Sequence, residues 1–134
     1  MNSKMRSGLQ ATVSLASMVV VTAGLAQGTA VDRGTLLTAN AYTIEVQRNG
    51  VDISANFPVV SVKYGADGSD LRTLRDGSKV PLTWRFLNKE QTQLETVAPG
   101  PEGTQRWVVL ELTDKVFRKA NIDTGLVVIH TPKR

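Results

Sequence analysis

Along most of this chain, apolar side chains recur at every second position, the period of a half-buried strand. The clearest unit is residues 42–57 (YTIEVQRNGVDISANF). Asn49-Gly50 suits a two-residue turn, because both residue types accept positive φ. Folding the chain there sets Val46 against Ile53, Ile44 against Ala55 and Tyr42 against Phe57. The other face pairs Gln47 with Asp52, Glu45 with Ser54 and Thr43 with Asn56. One face is apolar and the other polar, and a slip of one residue would destroy that sorting. The pattern therefore predicts a hairpin over 42–57.

Pro58 interrupts the run, since it cannot donate to a ladder. Residues 59–64 (VVSVKY) predict a strand with Val60, Val62 and Tyr64 on one face. Residues 65–70 (GADGSD) read as a loop and Asp76-Gly77 as a turn. Residues 80–87 alternate again, with Leu82, Trp84 and Phe86 opposed to Thr83 and Arg85. Residues 91–97 form a polar strand with Thr92, Leu94 and Thr96 on one side, as suits a sheet edge. A Pro/Gly loop follows at 98–104 (APGPEGT). Residues 106–113 (RWVVLELT) predict a strand with Val108, Leu110 and Leu112 inward, leaving Trp107, Val109 and Glu111 on the other face. Residues 114–121 suggest one helical turn capped by Asp114. Asp123-Thr124-Gly125 turns the chain into 126–130 (LVVIH), which is apolar on both faces and so reads as a central strand.

About seven or eight short strands with turn chemistry between them predict an all-β fold. The expected architecture is a single small antiparallel β-sandwich, immunoglobulin-like in the broad sense, with a small barrel as the other option. No Cys-Trp-Cys pattern is present, so a true immunoglobulin domain is not implied. Trp84 and Trp107 fall mid-strand, where large rings fill space between sheets.

The first thirty residues carry a different pattern. Lys4 and Arg6 precede an uncharged apolar stretch at 11–26, and small residues follow. This is the layout of a secretory signal peptide over 1–26, cut after Ala26, with a second candidate cut after Ala30. A membrane span needs about 20 predominantly apolar residues. Ser14, Ser17, Thr22 and Gly24 dilute this stretch, so no stable membrane anchor is expected after cleavage. Residues 27–134 remain as the single β domain, periplasmic or secreted. The chain has no cysteine. Disulfides, thiol chemistry, cysteine-ligated zinc and a lipid-anchored cysteine are thereby excluded. The net charge of +4 falls once Lys4 and Arg6 leave, and the other charges are scattered. No nucleic-acid partner is implied.

Candidate chemistry is sparse. His130 is the one histidine; it lacks a nucleophile elbow and reads as a strand-end residue partly in solvent. Asp67, Ser69, Asp70 and Asp76 offer oxygens, but in the arrangement of ordinary turns and not of a calcium loop. Among Glu45, Glu95, Glu102 and Glu111, only Glu111 shares a face with apolar residues, where burial would require a partner such as an arginine. No cofactor, metal or catalytic set emerges, and the chain is not expected to be an enzyme. Two surfaces stand out as binding candidates. One is the expected edge and its loop: Thr92, Leu94, Thr96, Pro99 and Pro101. The other is an aromatic platform of Tyr64, Trp84 and Trp107 with Arg85 and Arg106, residue types enriched at hot spots. The expected role is an exported, non-catalytic module binding a protein partner, as an accessory or assembly subunit of a bacterial envelope or secretion system. The alternatives are a self-assembling surface or fibre subunit, hence a homo-oligomer, and a carbohydrate-binding module.

Overall fold

A strand that reaches the far side of a sheet and pairs with its first member abolishes both edges, and that happens here. A computed structural model describes residues 32–133. A short helix α1 (Arg33–Thr38) leads into β1 (Ala41–Arg48), β2 (Val51–Asp52), β3 (Val59–Tyr64) and β4 (Ser69–Leu74). Then come β5 (Lys79–Phe86), β6 (Gln93–Val97), β7 (Thr104–Leu112), β8 (Phe117–Asn121) and β9 (Val127–Pro132). Strands β3 to β9 each pair antiparallel with the next, and β3 also pairs with β1. Strand β9 then closes on β1 through a continuous register from Val127–Gln47 to Pro132–Tyr42. The result is an up-and-down barrel of eight strands, with β2 lying outside the ring as an extension of the first hairpin. Residues 33–134 cluster as one compact unit. The expected leader over 1–26, with its cut after Ala26 or Ala30, lies outside the described residues.

The all-β antiparallel expectation holds, but the sandwich does not. Alternation with period two is the same in both architectures; what separates them is the β9–β1 pairing, which no local pattern encodes. The connections do favour a meander, because each joins strands adjacent in the sheet by a short turn.

The first hairpin turns where expected, with Asn49 at φ 52° and Gly50 at φ 79°. Its register is kept only at Gln47–Asp52 and Arg48–Val51. The Asp52 carboxylate then accepts from the Ser54 N–H (2.9 Å) and hydroxyl (2.6 Å), and the Ser54 Oγ accepts from the Val46 N–H (2.8 Å). These bonds divert the chain into a 3₁₀ turn at Ser54–Asn56, and β3 takes the place beside β1 that residues 55–57 were expected to fill.

Four further expectations fail. Strand β6 is not an edge: it pairs with β5 on one side and β7 on the other. In β7, Trp107 and Val109 are buried while Val108 and Leu110 face out, the reverse of the expected sidedness. A register shift between Val109 and Glu111 then returns Leu112 to the interior and puts Glu111 outside, 3.6 Å from Arg118. Residues 117–121 form a strand and not a helical turn, and β4 (Ser69–Leu74) begins inside the expected 65–70 loop and runs through residues given no element.

One barrel end is capped by α1. Leu37 is fully buried, and the Tyr42 hydroxyl donates to the Leu37 carbonyl (2.9 Å). Lys63 Nζ donates to the Thr38 carbonyl (2.7 Å), so the helix's orphan C-terminal acceptors are satisfied. The Arg33 N–H and Nε both donate to Gln91, tying the helix start to the 87–92 turn. The same end carries the 65–68 turn, where a Cβ on Gly65 would run into the Ser69 hydroxyl and the Asp67 carboxylate.

If the ring is closed, backbone amides on β1 and β9 should exchange as slowly as those on β5, which has two neighbours in any arrangement; fast exchange along one side of β1 or β9 would indicate an open sheet. Tyr42→Phe should cost about 1–3 kcal/mol in urea unfolding, because it strands buried helix carbonyls.

Candidate functional site

The barrel interior is not uniformly apolar. Inward positions of β4 and β8 place Asp70, Arg72, Lys119 and Asn121 inside, and β9 adds His130. At the end away from α1 the barrel opens into a cavity of about 240 Å³. Its walls are Ile44, Val46, Val59, Val62, Leu126 and Val128, with Phe57 and Pro58 at the rim. Trp107, Arg72, Lys119 and His130 also line it. The Asn121 Oδ1 accepts from the Asp123 and Thr124 N–H groups (2.9 and 3.0 Å), which fixes the 122–126 turn at the mouth. The shape is a cup: apolar walls, a polar floor, and an aromatic plug beneath.

That plug is a chain of edge-on and tilted rings. Tyr42 meets Tyr64 and His130 at centroid distances of 6.3 and 5.6 Å, and Phe117 meets His130 at 4.5 Å. Such contacts contribute about 0.5–1.5 kcal/mol each beyond area burial. Trp84 stacks edge-on with Phe86 and donates its indole N–H to the Gly65 carbonyl (2.9 Å). Trp107 donates to the buried Thr96 Oγ1 (3.0 Å).

The polar floor has only one consistent hydrogen placement. His130 Nδ1 lies 3.1 Å from the Phe117 carbonyl, which can only accept, so Nδ1 carries the proton. Nε2 is then an acceptor and takes the Tyr64 hydroxyl at 3.0 Å. The Tyr64 oxygen in turn accepts from Lys119 Nζ at 3.2 Å. Protonating Nε2 would reverse the middle bond. Full burial, and next the neighbouring Lys119 charge, hold the His130 pKa well below the usual imidazole value. Burial pushes the Tyr64 hydroxyl well up, so it stays protonated.

Lys119 is the most unusual residue of the set. It is 2% exposed, and its ammonium group sits 3.7 Å from the centroid of the Trp107 ring. None of the ion pairs among the described residues includes it. Asp70, fully buried, is committed to Arg72 at 3.1 Å. A desolvated cation–π contact contributes about 2 kcal/mol, and a hydrogen bond to a charged group about 1.5–3. Burying an unpaired ammonium costs several kcal/mol even after relaxation. Burial, and next the Arg72 charge, accordingly draw the Lys119 pKa well below the usual lysine value, with Asp70 opposing in part.

The expected site residues separate. Tyr64, Trp84 and Trp107 point into the barrel, whereas Arg85 and Arg106 lie on its outer wall, both on Glu95 (2.9 and 4.0 Å). No aromatic platform with flanking arginines forms on the surface. Leu94 and Thr96 are buried inside, and Thr92 is tied to Asn88. Pro99 and Pro101 lie on the 98–103 loop. His130 is fully buried, not partly in solvent. Asp67 and Asp76 each bind a serine two residues on, while Asp70 turns inward; among the described residues no cluster of metal-ligating side chains occurs. Arg72 and Lys119 were missed because charged side chains at inward positions look like solvent-facing ones. The available signal was the alternation Phe117-x-Lys119-x-Asn121 abutting a turn.

The chain matches no family model, no curated protein and no solved structure.

Because the folded pKa of His130 lies below its unfolded value of about 6.5, the unfolded chain takes up a proton that the fold refuses. Stability from this group is complete above that pH and is lost as pH falls below it. Stability against urea should fall from about pH 7 to pH 5, with His130 contributing a slope that approaches one proton, about 1.4 kcal/mol per pH unit, at the acid end. His130→Gln should remove that portion; identical pH profiles for the two proteins would contradict it.

Proposed function

We propose that this chain is an exported small-molecule-binding β-barrel, whose cup takes an apolar ligand ending in an oxygen acceptor group. The observation that carries this reading is Lys119: a buried amine that pairs with no carboxylate among the described residues, on the polar floor of a cavity whose walls are largely valine, isoleucine and leucine. A polar group left half-satisfied in a low-dielectric site binds a complementary atom strongly. Arg72 and Lys119 can both donate, while the valine and isoleucine walls suit a hydrocarbon body. Eight strands give an interior of the size that holds side chains or one small ligand. The 240 Å³ volume is just under the range of about 300–1,000 Å³ common for ligand sites, so a compact ligand fits best.

Export is supported by the leader pattern at 1–26 and by the absence of cysteine. The reading as a module for a protein partner, and the self-assembly alternative, drew on an open edge at 91–97. A strand paired along both sides lends them no support. The carbohydrate alternative needs exposed tryptophans, but Trp107 is 5% exposed.

Hexanol and hexanoate added to the full chain should shift tryptophan emission saturably, because Trp107 lines the cup. Val128→Phe should fill the cavity and weaken binding about tenfold, roughly 1.4 kcal/mol, with far-UV dichroism unchanged. No response to either alkyl ligand would refute the reading. N-terminal sequencing of protein recovered outside the cytoplasm should start near Gln27 or Val31.

A further inference from the structure

The cup's floor places an amine in the setting that carbonyl capture requires. We propose that Lys119 condenses with small apolar aldehydes held in the cup, forming an imine. This rests on the cup being a ligand site and names the class of ligand that reacts there.

Four observations converge on it. The Lys119 side chain lines the cavity, so a ligand seated against the floor meets it. Among the described residues it makes no ion pair that would lock it as an ammonium. Arg72, paired with Asp70 on β4, places a fixed cation nearby, and a neighbouring cation in an apolar pocket favours the neutral, nucleophilic amine. Finally, the Tyr64 hydroxyl lies 3.2 Å from Nζ and 3.0 Å from His130 Nε2, so a proton donor and an acceptor adjoin the reacting nitrogen.

The steps balance without an oxidant or reductant. The Nζ lone pair attacks the aldehyde carbon and forms the C–N bond. The carbonyl π pair moves to oxygen, which takes up the proton that nitrogen loses, passed through the Tyr64 hydroxyl. The resulting carbinolamine then breaks its C–O bond as the nitrogen lone pair forms C=N. Oxygen leaves as water with the second proton from nitrogen. The apolar walls offer water few partners, which slows the reverse hydrolysis.

The test uses the full chain, hexanal as the probe, and cyanoborohydride at neutral pH to trap any imine, read by intact mass and peptide mapping. The expected result is one reduced adduct, on Lys119, at least about tenfold more abundant than on any exposed lysine, since only Lys119 lines the cup that holds the aldehyde against it. Lys119→Met should remove this adduct. Label spread over Lys63, Lys79, Lys89, Lys115 and Lys133, with none on Lys119, would overturn the proposal. Hexanol titration of the same sample separates the two readings. Binding without a Lys119 adduct leaves the cup as a non-covalent site and sinks only the imine. Neither binding nor adduct sinks both.

Discussion

The pairing of β9 with β1 joins positions 80 to 90 residues apart and makes an interior out of what would otherwise be two faces of a sheet. Each closing strand then has hydrogen-bonding neighbours on both sides, so no long row of backbone groups is left for another chain. Closure also sets the diameter. With eight strands the lumen is too narrow for a channel and wide enough for a few side chains and one small guest. The aromatic plug, the helix cap and the cup all occupy space that exists only because the ring shuts.

Within that space the balance is between desolvation and the bonds that offset it. Asp70 and Arg72 form a buried pair, whose net value is small because each ion lost water to form it. Lys119 has the ring faces of Trp107 and Tyr64 and one hydroxyl to offset its burial, and no ion pair among the described residues. His130 resolves the same problem by staying neutral, with each ring nitrogen given a single fixed role. The floor is thus polar and holds two basic side chains against one carboxylate, which is an unusual combination in a core that serves stability alone. A hydrophobic isostere at Lys119 would be expected to pack at lower cost, so stability does not explain the residue.

Much of the fold was legible in the sequence, for a physical reason: strands β1, β3 and β5 put apolar residues in and polar ones out, and hairpin turns carry residues that accept positive φ. Val62 and Tyr64 lie inward as their alternation places them, although a register shift between Val59 and Ser61 brings Val59 and not Val60 to the cavity, and Leu82, Trp84 and Phe86 do share the inner face. Legibility failed where the interior is polar. Asp70 and Arg72 hid β4, and Lys119 and Asn121 hid β8. It failed again where a single extra residue shifts register in β7, so that Trp107 and Leu112 can both point inward. The candidate site was almost invisible for the same cause, since its defining side chains are the ones that break the pattern. Trp107 and Tyr64 were singled out as binding residues, but for an outer surface.

The succession of short hairpins has a kinetic consequence. Every contact between consecutive strands forms between residues close in sequence, so its loop-closure cost is low; only the β9–β1 register is strongly non-local. A chain emerging residue by residue can therefore build most of its ladder early, yet it cannot seal the ring until residues 127–132 are present. Until then it is a curled, unsealed ribbon whose β1 still lacks its second neighbour. Closing the ring and creating the cup are thus one late event, and the polar floor is enclosed only when β9 meets β1.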